Sequence, residues 1–467
     1  MEINRGLPAL FGFYHQATGV TTMEKRKARS NNTCQVNCTG SERETVMSQE
    51  RETFSEESID TPRDVTGYKP RLRVCTASRL LATVIMRFLS GQPLFFVSLR
   101  ATFVSWFGRI ASYPFQKRFK QKGAGRFFEF AFKHVVDYAT SGTRIGLSRP
   151  LSYFAVVLVF DATNQRVPPH GCGVLPACDV EQAAAKCLVS CSLKTGLIDD
   201  THSDAQPNSD VKFWRWLVPS LVPRTLYLCN LACFEKALFT NAVMDGAHVL
   251  IRLKQGAKLQ VLGHVCGRVF IDVPGWLLSH YVQTTSRKRS TFYDLDVAWG
   301  KGKDRIVLRV VGYAHNNNQV RWYMTTVPRS MLTAQQIGQC YRLRWHIDLV
   351  SRELKQSADL GRCFTADRNA VKAVTYTAMM THVLVRSSRI HAPLVNGVSL
   401  ERLRPLATLQ LVDAYASQIV EASWAPTSNA WEQLARELGE MLLGFAREPC
   451  SSRSRHRIAL ELGATGA

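Results

Sequence analysis

The chain has 467 residues, 46% of them hydrophobic and 21% charged. With a mean hydropathy of −0.10, that is enough apolar material for a sizeable core, and it excludes a fibrous or wholly disordered protein. Lys and Arg number 59 against 37 Asp and Glu, a net charge of +22, which points to a polyanionic partner: nucleic acid most simply, with an anionic membrane surface as the competitor.

The longest apolar stretch, Leu80 to Ile110, is interrupted by Arg87, Arg100, Arg109 and the turn-like Gly91-Gln92-Pro93. It therefore lacks the run of about 18 apolar residues that a membrane-spanning helix needs. The amino-terminal residues show neither a long apolar core nor a small-residue cleavage pattern, so no signal peptide or anchor is expected. Thirteen cysteines with no C-x-x-C pair fit a reducing cytoplasm.

Residues 1–75 carry eleven basic and ten acidic side chains and are rich in Ser, Thr, Glu and Arg, with internal methionines at Met23 and Met47. They read as a disordered or mis-started extension. Residues 76–150 read as a basic helical region. Between Arg79 and Arg149, twelve basic residues face only Glu129 and Asp137. There Lys117, Arg118, Lys120 and Lys122 alternate with Phe, as suits helices with one buried and one cationic face, and the missing counter-charges favour a phosphate-tracking role.

A run too apolar for a one-sided strand, Phe154 to Phe160, ends at Asp161 and predicts a central strand. Further strands are expected at Ala185 to Leu193, at Thr225 to Cys229 just before Asn230, and at His248 to Lys254. A helix from Phe234 to Met244 between the last two implies a parallel pair within an α/β sheet. Residues 257–328 show short alternating runs, among them Ile306 to Val311 and Val320 to Thr325, and predict a β-rich subdomain inserted into the α/β body. From Thr333 to Asp359 one helix is expected, opened by a capping box at Thr333-Ala334-Gln335-Gln336. More helices should fill Ala370 to Ile390 and residues 396–467, the latter ending in a flexible tail.

Within YRLRWHIDLVSRELKQ, the residues Arg344, Asp348 and Lys355 lie 3, 7 and 14 positions after Tyr341. On a continuous helix the four fall within a sector of roughly 60°. One face would thus carry a phenol, a guanidinium, a carboxylate and an amine, a set able to hold a metal ion and a phosphate together. The plain alternative is an i, i+4 ion pair between Arg344 and Asp348 on a wet surface.

This spacing resembles the Y-x2-R-x3-E-x6-K signature of DDE transposases of the bacterial insertion sequence 4 group. The resemblance extends to FDATNQRVPP, to LVPRTLYLCNLACFEKALFTNAVMDGAHVLIRLK, to WYMTTVP and to RIASYPFQKRF, spanning roughly Leu72 to Ser388. It implies an RNase H-like mixed sheet over residues 151–256 and 329–395, with the β subdomain at 257–328 inserted. It also implies metal-binding catalytic positions at Asp161, Asn230 and Asp348, with Tyr341, Arg344 and Lys355 contacting DNA. Two divalent ions, Mg²⁺ or alternatively Mn²⁺, would clamp the attacking and leaving oxygens of an in-line displacement. The implied partners are double-stranded DNA, as transposon ends and target, and a second copy of the chain, in the cytoplasm and nucleoid of a bacterium.

Two of the three acidic positions depart from the family pattern: Asn230 stands for Asp and Asp348 for Glu. The first removes a negative charge and the second shortens the reach by one methylene, where near-attack geometry tolerates little misplacement. Glu353, five residues on, points about 140° away around a helix and cannot replace Asp348; Asp245 lies too far along the chain. Two readings follow: a transposase impaired at these positions, or a catalytically dead, transposase-derived DNA-binding protein.

Cys187/Cys191 and Cys229/Cys233, with His170, Cys172 and Cys178, could be drawn as a zinc site but read better as buried thiols. Cys34 and Cys38 read as chance, and Asn316 to Asn318 as a turn. Trp322 is expected in a subdomain core, and Trp299 is open between core packing and stacking on an unpaired base.

Overall fold

The computed structural model describes residues 66–396 except 69–73, 90–93, 142–148, 169–176, 180–181, 205–220, 267–268, 274, 286–291, 315–319, 358–359 and 361–362, together with 437 and 441. The expected extension before residue 66, the helices after 396, the Asn316 to Asn318 turn, and His170, Cys172, Cys34 and Cys38 lie outside the described residues. No helix among the described residues is long and apolar enough to cross a membrane.

Four helices open the described chain: α1 (Ala77–Leu89), α2 (Phe96–Phe107), α3 (Ser112–Lys120) and α4 (Ala124–Ser141). Alternating Phe and basic residues produce them as anticipated. Phe115, Phe119, Phe127, Phe128 and Phe132 are buried, each contributing on the order of 2 kcal/mol of transfer free energy. Gly123 makes the tight turn between α3 and α4 with φ +88°, and a Cβ there would lie 2.7 Å from the Thr66 carbonyl oxygen.

A mixed α/β body follows. Its strands are β1 (Val156–Arg166), β2 (Ala177–Asp179), β3 (Gln182–Ser192), β4 (Ile198–Asp204), β5 (Thr225–Cys229), β6 (His248–Arg252), β7 (Gln260–Cys266), β8 (Val269–Asp272), β9 (Phe292–Trp299), β10 (Ile306–Ala314) and β11 (Val320–Thr325). They join one sheet in the order β2-β3-β1-β5-β6-β11-β10-β9-β7-β8, with β4 on β3. β1, β5 and β6 are mutually parallel, and α5 (Lys236–Met244) makes the β5-to-β6 crossover. The expected parallel pair is therefore present. The strands of 257–328 extend this sheet sideways, because β11 pairs antiparallel with β6.

β1 runs further than its apolar stretch suggests. The polar residues Thr163, Asn164 and Gln165 stay in the ladder against β3, since buried Gln165 accepts the Thr375 hydroxyl at 2.6 Å. Asp161 thus sits within the strand, and not at its end.

Helices α6 (Leu278–Thr285), α7 (Ala334–Arg342), α8 (Trp345–Ser357) and α9 (Arg368–Asn396) complete the body. One core lies between the sheet, α1–α4 and α7–α9; a second lies on the opposite face under α5 and α6. α9 joins the parts: Phe132 of α4 packs on Tyr376 with ring centroids 5.8 Å apart, and Gly125 lets α4 approach Lys372 closely.

Buried Arg309 fixes the approach to α7. It makes two hydrogen bonds to Asp294, at 2.9 and 2.7 Å, and donates to the carbonyls of Val327 and Leu332, on either side of the turn before α7. Thr333 then caps α7 with the anticipated box: its hydroxyl accepts from Gln336 N–H, and the Gln336 side chain accepts from Thr333 N–H at 2.8 Å.

Candidate active site

β1 and β5 pair in parallel from Val156 opposite Thr225 to Val159 opposite Leu228. The same register carried two residues further sets Asp161 opposite Asn230, the first residue after β5. Asn230 leaves the strand with extended backbone (φ −80°, ψ 173°) and caps the short 3-10 turn Leu231–Cys233. Its Oδ1 accepts the Ala232 N–H at 2.8 Å and lies 3.5 Å from the Cys233 thiol.

The Asp161 carboxyl is held above the usual carboxylate range, chiefly by burial. The Arg344 guanidinium counters that effect, the Asp348 carboxylate adds to it, and hydrogen bonds from Ala162 N–H and the Asn230 side chain pull it back. The β1–β5 register and the packing of α8 on β1 bring the first strand, the end of β5 and the start of α8 to one place. Two carboxylates, one amide and one guanidinium meet there.

The single helix expected over Thr333 to Asp359 is two helices. Leu343 and Arg344 donate their N–H groups to carbonyls three residues back, Cys340 and Tyr341, tightening the chain into a 3-10-like turn that separates α7 from α8. The four-residue sector computed for a continuous helix therefore does not hold. Tyr341 turns inward: its ring packs on Tyr323 at 4.9 Å and its hydroxyl donates to the Cys229 carbonyl at 3.2 Å. Burial pushes this phenol up to about 12, against the pull of Arg344 and of the Arg252 N–H that it accepts. Tyr341 thus clamps the helix break to the ends of β5 and β6, next to Asn230.

Arg344, in the turn just before α8, and Asp348, in the first turn of α8, form the i, i+4 pair, with one guanidinium nitrogen 3.3 Å from each carboxylate oxygen. At 21% and 29% side-chain exposure, such a pair contributes only a few tenths of a kcal/mol, so a phosphate can displace Asp348 from Arg344 cheaply. The plain reading of that pair holds, and the two charges also act on Asp161. Lys355 is exposed beyond Asp348 on the wet face of α8, with Trp345 and Arg352. The signature does not pick out Arg352; its offset of four from Asp348 is the signal that does.

Glu353 points away, pairing with Arg386 and His382 of α9 at 2.9 and 3.1 Å. Asp245 ends α5, at the start of β6 and so at the opposite end of the sheet. On α3, Lys117 and Lys120 are exposed, as is Lys122 just after it, and the Lys120 ammonium stands 5.6 Å from the Phe96 ring centroid. Arg118 is half-buried and acts on Tyr68 and Cys75, within the helical core. Trp299 stacks on Phe234 at 5.1 Å, and Trp322 packs on Tyr293 at 5.3 Å, over Gly312, where any Cβ would lie 2.8 Å from its ring. Cys187, Cys191, Cys229 and Cys233 are buried free thiols, and burial pushes Cys187 and Cys191 up to about 12. Among the described residues no three His, Cys, Asp or Glu side chains are grouped to hold a metal ion.

Residues 152–384 match the family described as "Transposase DDE domain". That stretch is similar to a DDE transposase domain. The matched span includes Asp161, Asn230, both halves of the broken helix and every strand of the described sheet. No curated protein matches the chain. Among solved structures it is similar to a cryo-EM structure of the piggyBac transposase synaptic complex with hairpin DNA, at 11% sequence identity over 88% of this chain and 83% of that one, with a TM-score of 0.39. Within the matched span, the amide of Asn230 and the short carboxylate of Asp348 stand at two of the three positions that the sequence resemblance assigns to acids.

Proposed function

We propose that the chain is the transposase of an insertion sequence of the insertion sequence 4 group, acting on double-stranded DNA through an RNase H-like domain, with its cleavage centre short of one carboxylate. The observation that carries this reading is the meeting of Asp161, Asn230 and Asp348 at the carboxyl-end side of β1 and β5, inside the span that matches the DDE family. In this reading residues 76–150 grip DNA, 151–256 with 329–395 cut it, 257–328 form the insert, and two copies hold the paired ends in the bacterial cytoplasm.

The donor set suits one hard divalent ion and not two. Asp161 and Asp348 offer carboxylate oxygens that would hold Mg²⁺ or Mn²⁺, and an ion bound there supplies Lewis-acid polarisation of a phosphoryl oxygen. The Asn230 oxygen caps a turn and brings no charge for a second ion. Arg344 orients a phosphate when it exchanges its weak pair with Asp348 for the DNA backbone. Tyr341 positions Arg344 by clamping the helix break, and Lys355 with Arg352 extends the cationic face along α8.

One specific arrangement favours the second reading, a DNA-binding protein without cleavage. Asn230 is engaged as a cap, and Arg344 already neutralises Asp348. The two readings separate on labelled duplexes carrying the element's own ends, incubated with the full chain in Mg²⁺ and in Mn²⁺. Nicking that Asp161→Ala abolishes supports the enzyme; binding without nicking in either ion supports the silent binder.

A further inference from the structure

We infer that Arg252, Lys254 and Arg321 form a second phosphate-binding patch, a seat for the DNA backbone on the sheet beside the carboxylates. The inference rests on the chain being a DNA-binding transposase. It adds a site to the cations of α3 and α8.

The patch follows from strand register. β6 ends at Arg252, which pairs with Tyr323 of β11. The ladder takes one further step, because Leu253 N–H donates to the Trp322 carbonyl at 2.8 Å, and this brings Lys254 opposite Arg321. Side chains two apart on a strand share a face. Arg252 and Lys254 therefore stand on the face that Arg321 shares with Tyr323, where Tyr341 packs. Both arginines act on the Tyr323 phenol, Arg321 also by a side-chain hydrogen bond. All three cations are exposed.

Stability gives no reason for this grouping. Like charges directly opposite across an antiparallel pair are destabilising, and none of the three is in an ion pair among the described residues. A polyanion does supply a reason, since each cation that meets a phosphate releases condensed counterions.

The position fits one DNA strand. In the order β1-β5-β6-β11, Asp161 and Arg321 are three strand spacings apart, about 14 Å at about 4.8 Å each. A strand whose phosphate lies at Asp161 and Asp348 meets Arg344 first and then crosses the ends of β5, β6 and β11 over the three cations.

The test uses the full chain and a fluorescent duplex of the element's ends, with affinity measured across about 50 to 200 mM salt. The triple variant Arg252→Gln/Lys254→Gln/Arg321→Gln should bind more weakly, with a log–log salt slope shallower by about 2 to 3, near 0.9 per lost phosphate contact. Its thermal midpoint should stay close to that of the wild type, because the relieved repulsion offsets the lost Arg321 hydrogen bond to Tyr323. Arg252→Lys/Arg321→Lys should keep the wild-type slope. A control triple at the exposed β9–β10 turn, Lys301→Gln/Lys303→Gln/Arg305→Gln, should lose less. Wild-type binding together with an unchanged slope in the patch variant, or an equal loss in the control, overturns the patch while the transposase reading stands. A wild-type chain that shows no salt-dependent duplex binding overturns both.

Discussion

Glu353 and Arg386 form an ion pair at 2.9 Å that ties α8 to α9, and this pair takes the nearest spare carboxylate away from Asp348. Glu353→Gln should lower stability by about 1–3 kcal/mol in urea unfolding, because it leaves Arg386 and His382 partly buried without their acid. Manganese affinity, followed by electron paramagnetic resonance, should not change. A large loss of bound Mn²⁺ in this variant would mean that Glu353 reaches the site after all.

Asn230 is the sharper case. Asn230→Asp adds a charge opposite Asp161 across the β1–β5 pair. It should strengthen Mn²⁺ binding at least tenfold, because carboxylate charge is what holds hard cations. Combined with Asp348→Glu, it should raise nicking of the element's ends by orders of magnitude in Mg²⁺, and Asp161→Ala should abolish the gain. A double variant that binds its ends but stays inert would place further damage elsewhere in the site and favour the silent binder.

On the helical region the four cations of α3 and its following turn should divide. Lys117→Gln/Lys120→Gln/Lys122→Gln should flatten the salt dependence of duplex binding and leave thermal stability nearly untouched, since all three are exposed. Arg118→Gln should instead lower the melting temperature, because that guanidinium faces Cys75 and Tyr68. Equal salt-slope losses from Arg118 alone and from the triple variant would contradict this division.

A pH effect resides at the sheet edge. The Asp199 carboxyl is pushed up to about 6 by burial first, then by Asp200 and Asp137. With a folded pKa above the unfolded value of about 3.9, the folded chain binds this proton more tightly. The associated stability is fully present near pH 4 and is lost as pH rises through about 6. Asp199→Asn should therefore stabilise the protein at pH 8 by about 1–2 kcal/mol, after allowance for partial exposure, and make little difference at pH 4. Denaturation curves at the two pH values decide it; stabilisation that is larger at pH 4 would reverse the assignment.

How much of this was legible before folding depends on the kind of signal. Thr225 to Cys229 and Val320 to Thr325 show their full extent, because an uninterrupted apolar run and a clean alternation each stop at a polar residue. The polar half of β1 does not, since the Gln165 carbonyl oxygen finds its donor in Thr375, more than two hundred positions away. The break after Arg342 is likewise invisible: Leu343-Arg344-Trp345 contains no Gly or Pro, and the turn is held by Tyr341 docking on Cys229. Asp161, Asn230 and Asp348 could be named from their spacing in a known signature, but their meeting depends on the β1–β5 register. The patch at Arg252, Lys254 and Arg321 needs the β6–β11 pairing, which brings together segments that nothing local connects.

The long helix α9 has a consequence for how the protein is made. It covers Phe132 of the basic helices through Tyr376, donates to the Gln165 oxygen of β1 through Thr375, and anchors α8 through Arg386, yet it is synthesised after all of them. Until α9 leaves the ribosome, Phe132 lacks its cover, Gln165 lacks its donor, and α8 has no strut behind the Arg344–Asp348 pair. A chain released early by a frameshift or a premature stop therefore loses the support of the basic helices and of the Asp161 site at once. Completion of the reading frame becomes the condition for packing either part, because Phe132 and the Glu353 side of α8 both wait for the last helix.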